Sequence, residues 1–407
     1  MVPVRAPLFP LFLSRSMNRS MEINVHCRLL VVGLALLILA GVAGCAPAAV
    51  QPTPTPEPII PTRTPQPLLG GRATAVATQL PAYPMADITP IIPTLTAGRS
   101  AALERIGIAG ALADVAPAAA AGLRARHFVF WRVWPELPLV PNLTIWQTVR
   151  LGQVEEAMQW PANRQLIAQT LAAHPGSFWL IGNEPDVIWQ DDATAEEYAE
   201  AYHDIYTFIR ERDPAARIGA GGIALPTPLR LSYLDDVLRN YRERYGESLP
   251  ADLWSIHLFI LREEKDSWGI DIPPGMDATT GQLYEIEDHG DIDLVKAYVT
   301  VFRDWMAANG YGDKPLAVTE FGILLPADYG FPPAFVQDYL AETYAYFLTA
   351  TGENGLAADG GRLVQYAFWY SLYDEGAYPT GNLYDAQRGV LTPLGQAFIH
   401  FMDEVRP

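Results

Sequence analysis

From Arg105 onward the chain alternates short, nearly continuous apolar runs with longer amphipathic stretches, and this alternation constrains the fold more than any other feature. Runs without polar alternation are what strands look like when both faces are covered, and strands separated by helices call for a parallel sheet wrapped in helices. Eight runs read as strands: Arg105 to Ala109, His127 to Val133, Leu143 to Val149, Ser177 to Gly182, Arg217 to Ala224, Leu253 to Ile260, Leu316 to Phe321 and Leu363 to Tyr370. The expected fold class is therefore α/β, a (β/α)8 TIM barrel. An open doubly wound sheet is the alternative, but no glycine-rich phosphate turn follows the first run.

The helices carry their own signals. Thr194-Ala-Glu-Glu197 is a capping box, and Tyr198, Tyr202, Ile205 and Ile209 then share one face. Tyr233, Leu234, Val237, Leu238 and Tyr241 form a second stripe, Leu294, Val295, Tyr298, Phe302 and Trp305 a third, and Phe335, Val336, Tyr339 and Leu340 a fourth. Between the second and third runs lies only Trp134 to Asn142, with three prolines. The helix at that corner is expected to be missing.

The first hundred residues are of another character. Arg28 precedes the apolar stretch Leu29 to Gly44, which ends in Val42-Ala43-Gly44-Cys45, the layout of a signal peptide. The stretch is short for a bilayer-crossing helix, though an uncleaved anchor is the rival reading. A cysteine after small residues resembles the bacterial lipoprotein signal, which implies lipidation of Cys45, a membrane anchor and an exported, extracytoplasmic location. Residues 46–99 are rich in proline and threonine and read as an extended tether. The expected division is thus 1–45 signal, 46–99 tether and 100–407 catalytic domain. Only Cys27 and Cys45 are cysteines, so the exported domain must hold together by packing rather than disulfides. A net charge of -18 without clustered Lys and Arg argues against nucleic acid as a partner.

In such barrels reactive groups sit at the C-terminal ends of strands. Two glutamates sit there: Glu184 in Phe178-Trp-Leu-Ile-Gly-Asn-Glu-Pro-Asp186, and Glu320 in Pro315-Leu-Ala-Val-Thr-Glu-Phe-Gly322. A carboxylate after a core strand is costly without a partner or a task. Two that converge over one cavity can cleave an acetal, one protonating the leaving oxygen while the other attacks or stabilises the sugar carbon. Rim salt bridges are the bland reading of either glutamate alone.

The strand ends Asn183-Glu184-Pro185 and Thr319-Glu320-Phe321-Gly322 resemble clan A, the retaining glycoside hydrolases built on this barrel. That resemblance covers most of residues 100–400, including Trp369 and the closing segment Gly389 to Phe398. It implies Glu184 as acid/base, Glu320 as nucleophile and Asn183 as ligand of the sugar 2-hydroxyl. The missing helix and Asn-Glu-Pro-Asp are most similar to the alkali-sensitive-linkage type, which includes endo-β-1,3-glucanases. Clan members often hold the nucleophile with a tyrosine where this chain has Phe259.

Further residues join the expected site. His257 could orient Glu320 or bond a sugar, or be a satisfied core histidine. Arg132, between Trp131 and Trp134, could clamp the nucleophile or form a structural ion pair. Trp131 and Trp369 could line the sugar site, Trp369 as the floor of the ring, with core packing as its rival. The two catalytic steps require opposite protonation states, so Glu184 is expected to have a raised pKa and Glu320 to stay ionised. No cofactor is implied, and no metal motif or Gly-x-Ser-x-Gly elbow occurs. The expected activity is an O-glycosyl hydrolase acting as a monomer on extracellular β-linked polysaccharide. The alternative is a carbohydrate-binding lipoprotein on a barrel that has lost turnover.

Overall fold

The computed structural model describes residues 102–376 and 378–404. The signal segment, Cys45 and the tether lie outside the described residues. Eight parallel strands form the sheet: β1 (Ile106–Ala109), β2 (His127–Val129), β3 (Thr144–Val149), β4 (Phe178–Ile181), β5 (Arg217–Ala220), β6 (Trp254–Leu258), β7 (Leu316–Phe321) and β8 (Tyr366–Tyr370). They run in the order β5-β4-β3-β2-β1-β8-β7-β6. The two edges then meet, because Gly219 bridges Leu253, Ile223 bridges Ile256, and the His257 N–H donates to the Ile223 carbonyl at 2.8 Å. The expected eightfold barrel is the observed fold.

Around it lie α1 (Leu112–Ala120), α2 (Arg164–Ala173), α3 (Ala195–Arg212), α4 (Pro228–Tyr245), α5 (Ile292–Ala308), α6 (Pro333–Thr349) and α7 (Pro393–Glu404). No helix separates β2 from β3, as the prolines of that segment foretell. The loop covers the outer face instead. The Gln147 side chain accepts from the Trp134 N–H at 2.9 Å and donates to the Trp134 carbonyl at 3.3 Å, while His174 at the end of α2 bonds the Pro135 carbonyl at 2.7 Å. These bonds satisfy loop backbone that a helix would have satisfied internally.

The end of the barrel remote from the strand C-termini is filled by aromatic side chains. Trp146 stacks on Phe178 with centroids 4.2 Å apart, and Tyr366, Phe368 and His127 pack edge-on or tilted against them. Burial pushes His127 down to about 4, despite its bond to the Glu104 carbonyl, so the ring is neutral and its Nδ1 accepts from the Trp146 indole at 3.1 Å. A plug of this kind leaves polar space only at the opposite mouth.

On α3 the capping box closes as read from the sequence, with Thr194 accepting from the Glu197 N–H and Glu197 accepting from the Thr194 N–H. Tyr198, Tyr202, Ile205 and Ile209 are buried. Removing the cap with Thr194→Ala is expected to lower stability by about 1 kcal/mol, read as a fall in the urea midpoint with an unchanged slope.

Candidate active site

Glu184, His257 and Glu320 meet at the mouth of the barrel. His257 is buried on β6, and its Nδ1 lies 2.8 Å from Glu184 Oε1 while its Nε2 lies 3.6 Å from Glu320 Oε1. One imidazole thus lies between both carboxyl groups.

Each of the three is aimed by its backbone. On β7 the register slips: Val318 and Phe321, three apart, pair with Ala367 and Trp369 of β8, two apart, and Glu320 is brought opposite His257. This bulge lets Glu320 face inward although Phe321 packs outward on Tyr344 and Phe347 of α6. Glu184 follows Gly182 and takes a left-handed φ of 46°, held by its N–H on the Gly222 carbonyl at 2.9 Å. Gly222 is also what admits the imidazole, since a Cβ there would stand 2.5 Å from His257 Cδ2.

Trp131 lies just beyond β2, and its indole N–H donates to Glu320 Oε1 at 2.6 Å. Arg132, the expected clamp, does not take that place. Burial holds its pKa below the usual value, with Glu155 opposing and Arg150 reinforcing. Alternation from the inward-facing His127 brings position 131 to the interior, and the indole reaches the carboxylate.

Trp369 is not at the mouth either. Along β8 the residues that face the interior are Tyr366, Phe368 and Tyr370. Trp369 faces the helices, fully buried against Phe321 and Tyr339, with its indole N–H on the Gly381 carbonyl at 2.7 Å. Strand alternation decides this, and a run that is apolar on both faces conceals it. Tyr370 holds the position expected of Trp369, 5.8 Å from the Trp131 ring and 5.7 Å from Phe259, with its hydroxyl on Asp374 at 2.9 Å.

Asn183 is buried beside Glu184. Its N–H donates to Asp191 Oδ2 at 2.7 Å, and its side-chain amide lies 3.5 Å from Gln190 Oε1.

Burial pushes Glu320 up to about 7, with Glu184 adding to the rise and the His257 charge, the Trp131 bond and Arg150 pulling against it. Burial alone would lower His257, but Glu320, Glu184 and Asp186 outweigh it and hold the imidazolium above its usual range. The expectation that Glu320 simply stays ionised is therefore corrected. Its deep seat and its like-charged neighbour favour retention of a proton near neutrality.

Comparison with known proteins adds to the fold. No family profile matches the sequence, and no curated protein matches it. Among solved structures, the chain is similar to a GH128 (subgroup II) endo-beta-1,3-glucanase from Pseudomonas viridiflava, with a TM-score of 0.50 at 18% identity over 74% of this chain and 98% of that one. A second, from Sorangium cellulosum, gives 0.48 at 17% identity over 72% and 97%. A GH128 (subgroup VII) oligosaccharide-binding protein from Trichoderma gamsii gives 0.47 at 17% over 74% and 94%. What the first of these shares with the chain is the barrel fold.

Two buried ionic clusters support the mouth. Arg230 on α4 has no exposed surface; it bonds Asp186 Oδ2 at 2.5 Å, Glu263 Oε1 at 2.8 Å and the carbonyls of Asp186, Ile270 and Asp271. It thereby ties the Glu184 loop to the long loop after β6. Arg150 at the end of β3 bonds Asp191 at 2.6 Å and Gln190 at 3.1 Å, which in turn hold Asn183. The sequence offered one usable signal for the first cluster: Asp186 in the Asn-Glu-Pro-Asp motif.

The raised pKa values fix the sign of a pH effect. Folded Glu320 binds its proton more tightly than the unfolded chain, with a reference near 4.3, so its burial weakens the fold as pH rises through about 7. His257 acts in the same direction, since its raised value stabilises below the unfolded value of about 6.5 and that gain is lost above it. Unfolding midpoints are expected to fall between pH 6 and pH 8. Glu320→Gln should be more stable than the native protein at pH 8, with the difference shrinking toward pH 5, and equal pH slopes in both proteins would contradict the assignment.

Proposed function

We propose that this chain is a retaining glycoside hydrolase that cleaves β-glycosidic bonds in an extracellular polysaccharide, with β-1,3-glucan the first substrate to test. The observation that carries the reading is the convergence of Glu184 and Glu320 on one imidazole at the barrel mouth. The likeness of the fold to that of an endo-beta-1,3-glucanase suggests the linkage.

In the proposed reaction ionised Glu320 attacks the anomeric carbon as the bond to the leaving oxygen breaks. Glu184 gives that oxygen a proton. The resulting glycosyl ester is opened by water, which loses a proton to Glu184 as its oxygen bonds the anomeric carbon and Glu320 leaves as the carboxylate. His257 contributes by carrying positive charge between the two acids. Its Nδ1 faces Glu184 Oε1, so the proton for the leaving group is kept one hydrogen bond away. The mouth is otherwise bounded by aromatic rings and acids, surroundings suited to a neutral sugar.

Cys45 is proposed as the lipid attachment point, with residues 46–99 as the spacer that holds the barrel away from the membrane surface. Cys45→Ala should release the protein from the membrane fraction and abolish incorporation of labelled fatty acid.

Activity is tested on a panel of polysaccharides with reducing-end detection. The native protein should release product from at least one β-glucan, and Glu184→Gln and Glu320→Gln should each lower kcat/KM by three orders of magnitude or more on the order of general-acid and nucleophile losses. The first product seen by proton NMR should keep the β configuration. An α product would show inversion, and tight binding with no product would support the carbohydrate-binding reading that Phe259 favours.

A further inference from the structure

The glutamate at the end of β7 needs a group to fix which of its oxygens attacks, and the side chain at the end of β6 that could do so here is Phe259, which has no donor. We propose that Trp131 is the positioning residue for the nucleophile, its indole N–H pinning Glu320 Oε1 so that Oε2 is presented to the sugar. This rests on the glycosidase reading for its kinetic consequence and on geometry alone for the rest.

Both contacts to the carboxylate fall on the same oxygen. The Trp131 bond to Oε1 is short, 2.6 Å, whereas His257 Nε2 is 3.6 Å from that atom, beyond hydrogen-bond length. Trp131 is therefore the direct anchor, and His257 acts through its charge. The indole is itself held: its ring lies 5.8 Å from Tyr370, which packs edge-on against Phe259 and is tied by its hydroxyl to Asp374. Phe259 thus serves the nucleophile indirectly, by packing the ring that packs Trp131.

The choice of an indole has a chemical consequence. A guanidinium at this position would fix the oxygen and also drive the carboxyl pKa down. An indole is a neutral donor, so it orients without supplying a full charge. The nucleophile is then fully ionised only above neutrality, and the acid limb of the rate profile should lie near 7.

The test compares native protein with Trp131→Phe, which keeps an aromatic ring and removes the N–H, and with Trp131→Ala. Expected for Trp131→Phe is a loss of kcat of about ten- to hundredfold, little change in KM, and an acid limb moved to higher pH. A rise in KM with kcat and limb unmoved would make Trp131 a wall of the sugar site and overturn the proposal. Carbon-13 NMR of the glutamate carboxyls, with Glu320→Gln to assign the signal, supplies a readout independent of turnover. Glu320 should titrate higher in Trp131→Phe than in native protein, and an unchanged titration would overturn the proposal. Should the native protein hydrolyse nothing while the NMR shift is seen, the glycosidase reading falls and the anchoring of Glu320 by Trp131 stands.

Discussion

Two carboxyl groups cannot be buried side by side at the mouth of an apolar barrel unless something shares their charge, and here that something is His257. Placing an isolated carboxylate in such surroundings would be met by neutralisation or by unfolding. With one ring nitrogen toward each acid, the imidazole lets both carboxyl groups remain close together. Much of the local backbone follows from making room for it: Gly222 has no side chain, β7 bulges to bring Glu320 opposite it, and its own N–H helps close the barrel between β5 and β6.

Holding this arrangement requires the loops behind it to be stiff. Arg230 and Arg150 do this from opposite sides of the Glu184 turn. Each guanidinium is buried and bonded to a carboxylate of that turn, Asp186 for one and Asp191 for the other. Buried pairs of this sort add little net stability over apolar packing, yet breaking one leaves a stranded charge that costs several kcal/mol. Their value lies in geometry. Glu184 sits in a left-handed conformation that few residues adopt unaided, and its neighbours on both sides are fixed to the helical layer and to the loop after β6.

The barrel was legible from sequence because its signals are redundant. Apolar runs, helical stripes, the Thr194 capping box and the prolines between the second and third strands all point to one architecture, and each is local. Glu184 and Glu320 were legible for the same reason, since each ends a strand. What could not be read was direction. The runs of β2 and β8 carry apolar residues on both faces, so nothing in their pattern says that the Trp131 indole reaches Glu320, or that Tyr370 rather than Trp369 reaches the mouth. The bulge on β7 and the Arg230 cluster depend on residues far apart in the chain, and no local period records them.

The missing helix bears on the site as well. With only a loop between β2 and β3, the chain leaves β2 after three residues and turns irregularly through Trp131 and Arg132 before Trp134 docks on Gln147. A strand continuing to Val133 would obey strict alternation, and its neighbours at 131 and 132 would be confined to opposite faces. With His127 facing the interior, that alternation already carries Trp131 inward, where its indole N–H reaches Glu320 Oε1.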